Sequence, residues 1–338
     1  MNNNIYIGAG EEHLSLFRSE LPGLSYIDFP GFRPGYSRFL PQYLVLLLET
    51  PLLFYFIIRD HYRLKSIIRK YDIDIVISDN RFGLWNRQVI TVYITHMPVI
   101  PFPKSLRFLE IFGILFHRQF IKKYSFCFIP DLPGELNLSG RLSHGLKLPE
   151  NVRYIGILSR FSDTGSSGQK SPEEFRHNTV ILSGPEPQKG ILKKKLISIL
   201  KEKELPTVIL EGKPGNPGGF VKSGNIITYS HLPVSEMKDM ITGSESIITR
   251  SGYSTIMELI SLKCSALLIP TPGQTEQEYL AEYMSEKGLF AAASQKNLSN
   301  AISLPGSKAG WTDEIIEKSR ELLGNALAEL LKRCQKKT

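Results

Sequence analysis

Short apolar runs recur along the whole chain with helix-like segments between them, and this alternation constrains the fold more than any other feature. In the first half the runs are NIYIGAG, LSYIDFPG, DIDIVISD, VITVYITH, SFCFIP and VRYIGI. In the second they are TVILSG, TVILEG, NIITYS, SIITRS, SALLIP and LFAAAS. Continuous Val, Ile and Leu at this length suits strands buried on both faces. Segments such as ILKKKLISIL and STIMELISLK carry helical spacing between them. The pattern predicts βαβ crossovers, parallel sheets and an α/β fold.

The stretch RFSDTGSSGQKSPEEFRHN, from Arg160 to Asn178, is rich in Ser, Gly and charge and poor in apolar residues. It reads as a linker or loop between domains, and 338 residues are enough for two cores. The expected division is a doubly wound domain over 1–157, a linker over 158–178 and a second doubly wound domain over 179–311. A C-terminal helix over 312–338 packs back on the first domain. Two such domains face each other across a cleft, with ligands beyond the carboxyl ends of the strands.

Composition narrows the function. Lys and Arg number 41 against 33 Asp and Glu, a formal +8, which favours anionic partners. No RNA-binding or zinc-finger signature is present, so nucleic acid is not among them. Three cysteines lie far apart with no CxxC pair, which speaks against a metal site or disulfides and for a reducing cytoplasm. MNNN is no signal peptide. The most membrane-like stretch, Tyr43 to Asp60, is broken by Glu49 and Pro51. It reads as a buried helix pair with Pro51 opening the second helix; the other reading is an amphipathic element lying on a surface. EGKPGNPGGFVKS lacks the order of a P-loop, and Asp72 to Asp74 is a strand start rather than a metal-binding Asp-x-Asp.

The most informative segment runs from Ser246 to Leu289. A strand ends at Arg250, and Ser251-Gly252 turns it into a helix. Ser251 is a candidate cap, and Gly252 admits a ligand close to the free N–H groups of the helix start. That positive end, together with Arg250, suits a diphosphate. Glu258, two turns on, can accept both hydroxyls of a ribose, or it is simply a helix-surface carboxylate. In PTPGQTEQE, Thr275 and Glu278 have the spacing of a capping box, which leaves Gln277 free for a ligand.

These residues carry a resemblance. RSGYSTIMEL followed by LIPTPGQTEQEYLAE resembles the carboxyl-terminal domain of glycosyltransferase family 28, through Arg-Ser-Gly-x-x-Thr-x-x-Glu, a proline and a Gln-containing loop. The resemblance implies the two-domain GT-B fold, transfer of a sugar from a nucleotide donor, no cofactor and no metal at the site. Carried over, Ser251, Gly252 and Thr255 lie at the donor phosphates, Glu258 at the ribose, and Gln274 and Gln277 at the donor sugar or ribose. YIGILSR resembles the interdomain segment that brings Arg160 near the phosphates. YSHLPVSEMKDMI resembles the base-binding turn, with Leu232 against the base; an ordinary strand-to-helix turn started by Pro233 is the competing reading. VILSGPEPQKGIL stands in the place of a Gly-rich phosphate loop but carries Pro185 and Pro187. Ser183, Gly184, Gln188 and Lys189 remain to supply contacts.

IYIGAGEEHLSLFRSELPGLSYIDFPGFRPG is similar to the family's stretch that starts at its second strand. The resemblance therefore implies that the first strand and its Gly-rich loop are absent, and that His13 belongs to another turn. An inverting transfer needs a base. Asp79, which ends one strand, and His96, which ends the next, are the candidates, with Asn80 and Arg81 for the acceptor. The alternative is that Asp79 and Asn80 build a turn. The expected function is transfer of a hexose or N-acetylhexosamine from a UDP-sugar to a lipid-linked or glycan acceptor. A cytoplasmic location, docked on the inner membrane, goes with it. The competing readings are a non-catalytic nucleotide-sugar-binding remnant, one subunit of a split transferase, or an epimerase.

Overall fold

The computed structural model describes residues 4–35, 42–162, 176–184, 186–212, 219–299 and 303–335. Most of the expected linker, and Pro185, lie outside them. The amino-terminal half runs β1 (Tyr6–Ala9), α1 (Glu11–Glu20), β2 (Ser25–Asp28), α2 (Gln42–Leu48), α3 (Thr50–Tyr71), β3 (Ile75–Asp79), β4 (Ile90–Ile94), α4 (Glu110–Ile121), β5 (Phe126–Ile129) and β6 (Val152–Tyr154). The carboxyl-terminal half runs β7 (His177–Ile181), α5 (Gln188–Leu200), β8 (Thr207–Leu210), β9 (Phe220–Ser223), β10 (Ile226–Tyr229), α6 (Val234–Thr242), β11 (Ser244–Thr249), α7 (Tyr253–Ser261), β12 (Leu267–Leu268), α8 (Thr275–Glu286), β13 (Ala291–Ala292) and α9 (Asp313–Gln335).

Every apolar run named above forms a strand, because each supplies a core-facing ladder that helices cover. The second-half sheet has the order β13-β12-β11-β7-β8-β10-β9, parallel except for the β9–β10 hairpin. Chain order departs in both directions from β7, so the topological switch point lies between β7 and β11. The first half forms two parallel sheets, β1-β2 and β3-β4-β5-β6. Both halves are Rossmann-like, the α/β architecture the sequence predicts.

Three devices fix the geometry around the cleft. Leu132, Leu138 and Leu142, from the loop after β5, share one core with Tyr253, Ile256, Leu280 and Met284 of the second half. Burying each leucine stabilises by about 1.5–3 kcal/mol. Buried Asp131 shapes that loop by accepting from the N–H groups of Leu132, Leu138 and Ser139 and from His144. Burial alone raises its pKa, but these bonds, with His144 and Ser139 foremost, outweigh burial and hold it below the ordinary value. Finally, α9 returns to the first half, where Ala326 and Leu330 pack with Ile90, Val92 and Phe126. Gly156, at φ +71°, touches α9 so closely that a Cβ would overlap the backbone of Ser319.

The helix pair over 42–71 differs from its buried reading. Pro51 does open α3, and Ile57, Asp60, Leu64 and Ile68 face inward. The outer face stays bare, with Tyr55, Ile58 and Tyr62 all about 60% exposed. The inner stripe follows helical spacing, and the outer stripe is apolar too; periodicity alone does not separate them.

Candidate functional site

Ligands in open α/β sheets sit where strand order reverses, which here is the ends of β7 and β11. Ser183 and Gly184 follow β7; Arg250, Ser251 and Gly252 follow β11. Gly184 has φ +92° and nothing within 4 Å of an added Cβ. A Cβ on Gly252 would meet only Thr255 Oγ1, at 4.0 Å. Both glycines therefore border open space. Gly252, not Ser251, is the N-cap of α7, and no side chain caps its first turn. The first N–H groups of this helix remain available to an anion.

The structure gives several of the named side chains work inside the fold. Arg250 is 1% exposed and donates to the carbonyls of Ile269, Pro270 and Gln188. Burial pulls its pKa down to about 10, which still leaves a cation beneath the corner. Its charge therefore reaches the corner through its field, since its donors are taken by backbone carbonyls. Ser251 is fully buried, and its hydroxyl donates to the Gln277 carbonyl at 2.7 Å. Gln277 is not free of local duty, because its Oε1 accepts from Thr271 N–H at 2.9 Å. The expected capping box does not form: Glu278 accepts from Gly273 N–H, and Thr275 Oγ1 donates to Pro101 O instead. Gln274 is the N-cap of α8, without a side-chain bond.

Glu258 lies on α7 as expected and is three-quarters covered. Its Oε1 pairs with Arg160 Nε at 2.9 Å, joining α7 to the segment that leaves the first half. Burial raises the carboxyl's pKa and Arg160 opposes that shift. Leu232 is 2% exposed and packs in the core, so its side chain is not open to a base. Pro233 is the N-cap of α6. His231, beside Leu232, lies 3.6 Å from Glu20 of α1, which brings this turn against the first half. Gln188 opens α5 and gives its carbonyl to Arg250.

Across the cleft, Asp79 ends β3 at the surface. Surrounding protein desolvates its carboxyl and raises its pKa, while the neighbouring His96 lowers it. Asn80 has φ +49° and its Oδ1 accepts from the Tyr93 hydroxyl. Arg81 is committed elsewhere: it donates to Asp60 at 2.6 Å and to Phe29 O at 2.8 Å. Arg81, expected to bind an acceptor group, is thus occupied by Asp60 and Phe29 instead. His96 stacks on Tyr253 at 4.7 Å and bonds Glu276 Oε1 at 2.9 Å. Sequence reasoning missed Tyr253 and Glu276. The available signal was two acidic residues in the first turn of α8 when a capping box needs only one.

The comparisons with known proteins agree with this layout. Residues 211–304 match the glycosyltransferase family 28 C-terminal domain. An uncharacterized glycosyltransferase of Methanosarcina acetivorans is 24% identical over 245 residues, 67% of this chain and 62% of that protein. A UDP-N-acetylglucosamine--N-acetylmuramyl-(pentapeptide) pyrophosphoryl-undecaprenol N-acetylglucosamine transferase of Desulforudis audaxviator is 34% identical over 92 residues, 27% of this chain and 24% of that protein. The matched regions thus span less than two thirds of these relatives. Among solved structures, the calicheamicin glycosyltransferase CalG4 covers 99% of this chain and 90% of its own, with a TM-score of 0.56 and 13% identity. A kitacinnamycin glycotransferase covers 96% and 90%, with a TM-score of 0.58 and 12% identity. At such identities the likeness concerns the GT-B fold.

Proposed function

We propose, from the match of residues 211–304 to the glycosyltransferase family 28 C-terminal domain, that this chain transfers a hexosyl or N-acetylhexosaminyl group from a UDP-sugar. The acceptor is a lipid-linked or glycan hydroxyl, and the transfer inverts the anomeric centre without a metal. One observation carries the reading. Gly184 and Gly252 border open space at the ends of β7 and β11, the start of α7 carries no side-chain cap, Glu258 lies on that same helix, and His96 stacks on Tyr253, its first residue.

In this arrangement the diphosphate lies on the N–H groups of α7 over buried Arg250. Glu258 accepts the ribose hydroxyls after exchanging its bond with Arg160, and the freed guanidinium turns to a phosphate oxygen. Asp79 takes the proton of the acceptor hydroxyl. The acceptor oxygen bonds to the anomeric carbon as the bond to the diphosphate oxygen breaks, and the electron pair leaves with the nucleoside diphosphate. Donors aimed at that developing charge lower the barrier. Glu276 holds the His96 ring against Tyr253, fixing the second polar group beside Asp79.

Glu258→Ala is expected to weaken UDP and UDP-sugar binding about ten- to hundredfold, the worth of charge-assisted bonds to two hydroxyls. Isothermal titration measures it directly. Absence of binding to UDP and every UDP-sugar by the unaltered chain, or an unchanged affinity in the variant, refutes this donor site.

A further inference from the structure

We propose that the β9 edge of the second-half sheet is a self-association surface, on which β9 of a second copy pairs antiparallel about a twofold axis at Val221. The sheet ends on two edge strands, β13 and β9. β13 is blunted by its length of two residues. β9 has four residues, Phe220-Val221-Lys222-Ser223, all of them exposed. Phe220 is 59% exposed and Val221 70%. The ladder with β10 runs one residue to one, from Phe220 opposite Tyr229 to Ser223 opposite Ile226. Neither a bulge nor a proline turns this strand away from a partner, and Lys222 is its lone charge.

Register identifies the partner. Bonded and non-bonded pairs alternate along an antiparallel ladder. Ser230 N–H donates to Gly219 O at 3.5 Å, so Gly219, Val221 and Ser223 spend their main-chain groups on β10. Phe220 and Lys222 direct theirs outward, where no described strand takes them. A second β9 satisfies these groups when outward residues face outward residues. Centring on Phe220 leaves Lys222 beyond the partner strand, and centring on Lys222 sets cation against cation. Centring on Val221 sets each Phe220 opposite the partner's Lys222, a lysine beside an aromatic ring on both sides of the axis. Val221 then meets its own copy in a non-bonded pair, with Cβ atoms about 4.5–5.5 Å apart. The same residues supply both halves of the contact, as a closed twofold interface requires.

The face beside this strand adds apolar surface. Val221 and Ser223 border a groove of about 260 Å³, with Ile197 of α5 and Ile226 of β10 among its walls. Pairing continues that groove with the partner's Val221, so side chains are buried along with main chain. A contact built on one short strand is small for a dimer, and association is expected near about 10 µM. Since the paired strands run antiparallel, the carboxyl ends of the two sheets point opposite ways and each copy keeps its own cleft. This inference stands apart from the transferase reading.

Sedimentation velocity between about 1 and about 100 µM tests it. The unaltered chain is expected to pass from monomer to dimer across that range. Val221→Lys and Val221→Glu should each weaken association about tenfold or more, because like charges then face each other across the axis. Mixing the two variants in equal amounts should restore the dimer, since lysine now faces glutamate at the same position. Thermal unfolding of both variants should match the unaltered chain, because Val221 faces solvent. A monomer at every concentration, or a dimer that neither variant weakens, overturns the proposal. So does a loss of association that mixing fails to repair. No readout involves a nucleotide, so the donor site is judged separately.

Discussion

Asp79→Asn is expected to lower kcat by about 10²- to 10⁴-fold with little change in donor affinity. That range is what a positioned general base contributes. Asparagine keeps the shape of the turn at the end of β3 but cannot take the acceptor's proton. The matching pH profile has a definite sign. A base must be ionised, and desolvation raises the Asp79 carboxyl above its usual 3.8. The rate should therefore fall with acidification through a pKa above that value. The stability linkage runs opposite to that of a salt-bridged carboxylate. A raised folded pKa disfavours the charged form, so the residue's ionisation costs stability above the folded pKa. That cost disappears as pH falls below the unfolded value. Steady-state transfer rates and UDP titration separate the two effects. Unchanged turnover in Asp79→Asn would move the base role to His96, whose replacement by alanine should then show the larger loss.

Asp60→Ala is expected to destabilise the first half by about 3–5 kcal/mol, the cost of stranding charges that a buried carboxylate pairs. Asp60 is 3% exposed, with Arg59 at 2.9 Å and Arg81 at 2.6 Å. Those two arginines also donate to the Pro30 and Phe29 carbonyls at the end of β2. One carboxylate on α3 therefore ties the β1–β2 sheet to the loop after β3. Removing it leaves both guanidinium groups facing a covered cavity and frees the smaller sheet. Thermal unfolding should show an earlier transition, and proteolysis should favour cleavage near β2. A variant that melts like the unaltered chain would show that the two sheets are held by packing alone.

The strand pattern was legible because a parallel, doubly covered sheet demands continuous apolar runs, whatever lies around it. Every run named in the sequence became a strand. The strand that went unread, β9, has four exposed residues in a hairpin with β10 and no apolar signature. The glycine corner was legible for a similar reason. A strand turning directly into a helix through Ser-Gly has few backbone solutions, and the open space at Gly252 follows from them.

Side-chain assignments were less legible, because the same chemistry serves a ligand or a neighbour. Arg81 and Arg250 have the charge an anion needs, yet Asp60 and three backbone carbonyls claim them. Thr275 has capping spacing, yet it bonds Pro101, more than a hundred residues away. Gln277 lost its freedom to Thr271 in the same loop. For α3, spacing shows that the helix has two apolar faces but not which one is covered.

The sequence by itself determined the two parallel-sheet halves, the order of their elements and the position of the glycine turns that follow β7 and β11. These depend on periodicity and backbone freedom within short windows. Tertiary structure alone decided which polar groups remain open at those turns, that His96 meets Tyr253 and Glu276, and which apolar face of α3 stays bare. Each of those outcomes is a competition among partners distant in the chain, settled by proximity that no local pattern encodes.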